Sequence, residues 1–120
     1  MKSRLELVGA LIEQPSATSA IMLDLKKYEW DSENELVTLK PHHIIQCLSL
    51  YISGKISSEQ VQDWANAIEG RDDIGLHESD KTTLDEMIFW LANPYLNYPI
   101  TLELASLVIQ NLESNKIKIP

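Results

Sequence analysis

The sequence predicts an all-α fold: a compact single domain of about six amphipathic helices with short connections, spanning residues 1–120. Three observations predict it. Apolar residues recur at i, i+3, i+4 spacing in six successive stretches. Those stretches are separated by prolines, glycines or short polar turns. A chain of 120 residues with 44% apolar content fills one core but hardly two.

The first helix covers residues 3–14, with Leu5, Val8, Leu11 and Ile12 on its apolar side and Pro15 as its stop. Ser16 or Thr18 is the expected N-cap of a second helix running to about Tyr28, with Ile21, Leu25 and Tyr28 on one face and Met22 and Leu23 widening it. Residues 30–35, WDSENE, are acidic and read as a loop. Leu36 to Leu39 is the one β-leaning run, and it is too short and isolated to predict a sheet.

Pro41 suits the first position of a third helix, which buries Ile44, Ile45, Leu48, Tyr51 and Ile52 and ends at Gly54. Ser57 with Gln60 forms a capping-box pattern opening a fourth helix. There Val61, Trp64, Ala65 and Ile68 mark an unbroken stripe, opposite Gln60, Asp63, Asn66 and Ala67, and Gly70 closes the helix. Residues 71–79 read as a polar connection. Asp80 is the expected cap of a fifth helix with Leu84, Met87, Ile88 and Leu91 facing inward, stopped at Asn93-Pro94. Thr101 caps a sixth helix to about Leu112, and the tail SNKIKIP reads as loose. The short turns predict that helices three to six form two successive antiparallel pairs.

Charge is the most distinctive property. The net charge is −8, and residues 59–86 hold nine acids against only Arg71 and Lys81. Residues 24–35 add a further local excess of acid. Such a field repels nucleic-acid phosphates and attracts basic partners. It also describes an ordinary solvated face that keeps a protein soluble. The longest charge-free stretch, residues 87–102, contains two prolines and falls short of a membrane span. The N-terminal residues carry Glu6 within the apolar run and lack a small-residue cleavage site, so no signal peptide is expected. A lone Cys47 fits a reducing compartment, and the expected location is the cytoplasm.

No residue pattern calls for catalysis, a cofactor or a metal. His43 and Cys47 share a helix face at i, i+4, but the four-ligand spacing of a closed zinc site is missing. The apolar neighbours of Cys47 argue for a buried thiol, not a nucleophile. Pairs such as Asp72-Asp73 and Asp85-Glu86 are expected to face solvent or pair with a neighbour such as Arg71. Trp64 is assigned to the core. Trp90 and Phe89 cannot both follow the buried line of the fifth helix, and Trp30 is placed at the core edge. Tyr95 and Tyr98, in the proline-bounded turn PYLNYP, are the better interface candidates, because tyrosine presents an apolar ring with a polar tip.

The assembled pattern YxxGxIxxxxVxxWAxxIExRDDIG, followed by WLANPYLNYPIT, resembles a group of small bacterial helical proteins. The group includes the immunity proteins of contact-dependent growth inhibition and related toxin systems. The resemblance covers residues 51–104 and lies mostly in core and cap positions, such as Gly54, Val61, Trp64, Ile68, Asn93 and Pro94. It implies a non-enzymatic cytosolic antidote that binds the C-terminal domain of a delivered toxin, a basic nuclease such as an RNase. The resemblance carries over no contact set; charge and residue type make Asp63, Glu69, Asp72, Asp73, Glu78, Asp80, Asp85 and Glu86, with Tyr95 and Tyr98, the expected contact surface. Nucleic acid and membrane are not expected as direct partners, and a monomer is the favoured state. Two other classes stay open: an acidic adaptor on a basic host protein, and a small enzyme built on Cys47, His43 or His77.

Overall fold

Six helices carry the described chain, and most begin or end where local chemistry requires it. The computed structural model describes residues 3–28, 34–96 and 98–117, with side chains through residue 113. Helix α1 (Arg4–Glu13) opens with a capping box in which Ser3 Oγ accepts from the Glu6 amide while Glu6 accepts from the Ser3 amide. A single 3-10 turn over Pro15–Ala17 then leads into α2 (Thr18–Leu25). Neither expected side chain caps α2. Thr18 is already helical, and its hydroxyl donates to the Pro15 carbonyl at 2.8 Å. The helix stops three residues before Tyr28.

Helix α3 (Pro41–Ile52) starts at its proline and ends in the expected left-handed glycine, Gly54, at φ 79°. The amide of Lys55 reaches the Leu50 carbonyl and that of Gly54 the Tyr51 carbonyl, so two otherwise orphaned carbonyls are satisfied. Helix α4 (Ser58–Ile68) has both halves of the Ser57–Gln60 box and closes at Gly70, φ 77°. Helix α5 (Lys81–Ala92) stops at Asn93, whose side-chain amide donates to the Phe89 carbonyl at 3.0 Å. Thr101 Oγ1 accepts from the Leu104 amide and opens α6 (Leu102–Ile117). The backbone of α6 continues through Ile117, past the end expected near Leu112.

Two expectations fail on long-range contacts. Val37–Leu39 does pair: as β1 it lies parallel to β2 (Ile74–Leu76), in register Val37 with Ile74, Thr38 with Gly75 and Leu39 with Leu76. Its partner lies beyond two helices, in the segment read as a polar connection. A crossover of this kind is what a parallel pair demands. The helices also pair differently. Helix α4 packs chiefly on α5 and α3 on α6, a nested arrangement in place of two successive hairpins. Short loops limit how far apart helix ends lie, but wide apolar stripes select which faces meet.

One continuous core results, and Trp64 lies fully buried within it. Its indole N–H donates at 2.8 Å to the carbonyl of Leu11, in the last turn of α1 where no helical partner exists. The α3–α6 pair is tied by Tyr51, whose hydroxyl donates to the Ile100 carbonyl at 3.1 Å. On α1 the apolar stripe is shifted from its expected position: Leu7 is buried and Leu5 exposed. Leu23, Ile52 and Phe89 are also exposed. Ala67, expected on the outer face of α4, is buried. Trp30 and most of the acidic loop around it lie outside the described residues.

Candidate protein-interaction surface

Ten residues were expected on one surface, and nine lie at least partly in contact with solvent. The exception is Asp73, which is 0% exposed. Its carboxylate accepts from Arg71 Nε at 2.9 Å, Arg71 Nη2 at 3.0 Å and Arg4 Nε at 3.0 Å. Burial alone would raise its pKa, but the hydrogen bonds and charges of Arg71 and Arg4 hold it below the ordinary aspartate value. Its backbone carbonyl accepts from the amides of Leu36 and Val37 at the start of the strand pair. Asp73 is therefore an internal tie between α1 and the strands and is withdrawn from the acidic surface. Its neighbour Asp72 remains exposed.

The remaining acids divide by position. Glu69, Asp72 and Asp85 line one cleft of about 260 Å³ together with Glu35, over a floor that includes Ile68 and Ile88. Lys81 and Arg71 also line this cleft and partly offset its charge. Glu35 is the member sequence reading missed. It belongs to the acidic stretch ahead of β1, and only the strand pairing brings it against Gly75, where a β-carbon would collide with its carboxylate. Glu69 also lies 3.5 Å from the Asn93 side-chain amide. Asp63 and Glu78 are exposed but line neither this cleft nor the grooves below. Asp80 precedes α5 without capping it; its carboxylate lies 3.2 Å from His77 Nδ1. That enclosed nitrogen is off the direction of a hydrogen bond, so the contact is one of proximity only.

Beside the acids stands an apolar region. Tyr95 is 76% and Tyr98 65% exposed, and Phe89, Leu96 and Leu102 are exposed around them. Tyr95 borders a hollow of about 390 Å³ with Pro94, Pro99 and Ile100. Tyr98 borders a second groove, of about 290 Å³, with Glu86, Met87, Trp90, Leu104 and Val108. The turn that displays both tyrosines is held from beneath by Trp90, whose indole N–H donates to the Tyr98 carbonyl at 2.8 Å. Sequence reading found the two tyrosines from their proline frame. Leu96 and Leu102 carried no separate signal, since an apolar residue beside a helix start is usually buried.

Two of the three residues considered for an enzyme, Cys47 and His43, are engaged by their surroundings. Cys47 is buried in the core, which pushes its thiol up to about 12 and leaves no thiolate near neutral pH. His43 does not face it as a base. His43 Nδ1 accepts the Lys40 amide proton at 2.8 Å, so the ring proton sits on Nε2, 2.8 Å from a Glu13 carboxylate oxygen. Glu13, His42 and His43 bring ligand atoms within 4.8 Å of one another. A metal on His43 Nε2 would force the ring proton onto Nδ1, against the Lys40 N–H. That conflict leaves two ligands, short of a closed site.

Among the described residues no helix is long and apolar enough to cross a membrane. Compared with protein-family models, curated proteins and solved structures, the chain matches none.

Proposed function

We propose that this chain is a cytoplasmic immunity protein, not an enzyme, that binds and neutralises a cognate toxin domain. The observation that carries the reading is that each exposed tyrosine lies near a carboxylate: the Tyr95 hydroxyl donates to Asn93 Oδ1, whose side-chain amide lies 3.5 Å from Glu69, and Tyr98 shares a groove with Glu86. Aromatic side chains that are exposed before docking are the residue type that dominates binding energy once covered. Carboxylates around them attract a cationic partner and speed its encounter.

The toxin that suits this surface is a nuclease, an RNase above all, whose lysines and arginines hold nucleic-acid phosphates. Glu69, Asp72 and Asp85, with Glu35, would take the place of those phosphates. Tyr95 and Tyr98 would anchor the complex, so that the body of the inhibitor covers the catalytic cleft. Direct nucleic-acid binding by this chain is opposed by the sign of its charge. An acidic adaptor on a basic host protein would use the same surface.

The test is a rescue experiment. The C-terminal domain of the protein encoded immediately upstream is expressed with and without this chain, and growth is followed. Toxicity cured by this chain alone is the expected result. A toxic neighbour that this chain fails to cure would sink the antidote reading, and a harmless neighbour would leave the adaptor reading in front.

A further inference from the structure

Helices α5 and α6 are consecutive, yet each packs chiefly on another partner: α5 on α4, and α6 on α3. The gap between them is the groove of about 290 Å³ bordered by Met87 and Trp90 on α5, Leu104 and Val108 on α6, and Tyr98 in the turn. Its mouth is pinned by the Trp90 indole on the Tyr98 carbonyl. The groove is thus formed in advance, and little ordering is left to oppose binding.

Charge identifies the occupant. Among the described residues, the single charged one bordering the groove is Glu86. Residues 86–113 carry three carboxylates, Glu86, Glu103 and Glu113, and no lysine or arginine, while Asp85 and Lys81 line the separate acidic cleft. A second copy of the chain would bring the same excess of carboxylates face to face, which disfavours self-association there.

We infer that this groove seats an apolar side chain from a basic amphipathic segment of the partner, with Glu86 meeting a lysine or arginine beside that anchor. The inference rests on the protein-binding reading above and names the anchor chemistry of its partner. Amphipathic segments dock in this manner, with apolar anchors at i, i+3 or i+4 entering a hydrophobic groove.

The experiment uses the full chain, labelled with nitrogen-15, and three synthetic peptides about four helical turns long. One has leucines at helical spacing among lysines, the second replaces every leucine with serine, and the third replaces every lysine with glutamate. The Trp90 indole N–H resonance reports the groove, and that of the buried Trp64 reports the intact fold. The leucine–lysine peptide is expected to move Trp90 and leave Trp64 in place. The serine and glutamate peptides are expected to bind about tenfold more weakly or worse. Leu104→Trp, which fills the groove, is expected to abolish the Trp90 shift. Tyr98→Ala, at an exposed position, is expected to weaken it and decides the matter should Leu104→Trp perturb the Trp64 resonance.

Equal binding of the serine peptide, with shifts confined to the Glu69 and Asp85 cleft, would overturn the groove while leaving the acidic surface in place. Equal binding of the glutamate peptide would overturn the basic partner. A Trp90 resonance that moves with protein concentration alone would make a second copy the occupant. The absence of any shift also overturns the inference. The rescue assay judges neutralisation separately: rescue retained in full by Leu104→Trp would sink the groove and keep the antidote.

Discussion

Around Asp73 this protein buries charge, whereas from Phe89 to Leu102 it leaves large apolar side chains in water. Both regions run against the ordinary sorting of polar and apolar groups. In the first, the carboxylate and its arginines lose hydration but gain three charge-assisted hydrogen bonds. Such a group contributes little net stability relative to apolar packing, yet removing one partner takes hydrogen bonds from buried charge. Its place between Arg4 on α1 and the amides of Leu36 and Val37 makes it a tie that sets where the strands meet α1. In the second region, Tyr95, Leu96 and Tyr98 add little to folding, because they remain exposed. The lesson is that buried charge here serves the fold, and exposed apolar surface is what is left for a partner.

The widest test of that contrast is deletion of the buried carboxylate. Asp73→Ala is expected to cost about 3–5 kcal/mol, since buried Arg71 then loses the carboxylate that accepts two of its hydrogen bonds. Against a total stability of roughly 5–15 kcal/mol, that shift will be plain in a urea denaturation curve. Asp72→Ala, one residue earlier and exposed, is expected to change stability by no more than about 0.5 kcal/mol. Similar midpoints for the two variants would break the comparison.

The interface half of the contrast calls for the opposite outcome. Tyr95→Ala and Tyr98→Ala are expected to leave stability within about 0.5 kcal/mol. The same changes are expected to weaken a cognate partner by about 2 kcal/mol each, measured by calorimetry on the complex identified through rescue. A loss of stability with no loss of affinity would make the tyrosine turn a structural element.

Acid titration sharpens the first half. The folded-state pKa of Asp73 lies below its unfolded value of about 3.9. Its contribution is therefore fully present above that value and is lost as pH falls through the folded pKa. Urea midpoints followed downward from pH 5 are expected to fall more steeply for the natural chain than for Asp73→Asn, and parallel curves would refute the linkage.

The smallest expected effect is on encounter. Asp72→Lys with Glu78→Lys is expected to slow association with a basic partner by up to about tenfold at low salt, with little change in dissociation. Asp73 must be left intact in any such series, because a lysine there would be buried against Arg71 and Arg4 and would destabilise the chain instead of recharging its surface.

Much of the secondary structure was legible because its causes are local. The Ser57–Gln60 box, the Thr101 cap, Gly54 and Gly70 each act on backbone groups within a few residues, so their identities suffice. The stripe from Val61 to Ile68 is equally local in its spacing, and all four of its residues are buried. Thr18 shows the limit even there. Its hydroxyl suits a cap, but the 3-10 turn after Pro15 offers it a carbonyl three residues back instead. Leu5 and Leu7 show another, since the contacts of α1 bury Leu7 and leave Leu5 exposed.

By itself the sequence determined the helical class, most helix limits, the apolar stripe of α4 and the excess of acid, because composition, periodicity and capping are short-range properties. Tertiary structure alone decided that Ile74–Leu76 would meet Val37–Leu39, and that Asp73 would be buried while Asp72 was not. It alone brought Glu35 to Glu69 and Asp85, and opened a groove between two consecutive helices. Each of those outcomes depends on segments far apart in the chain. A residue's neighbours in sequence fix its chemistry, but its neighbours in space fix whether that chemistry is hidden or displayed.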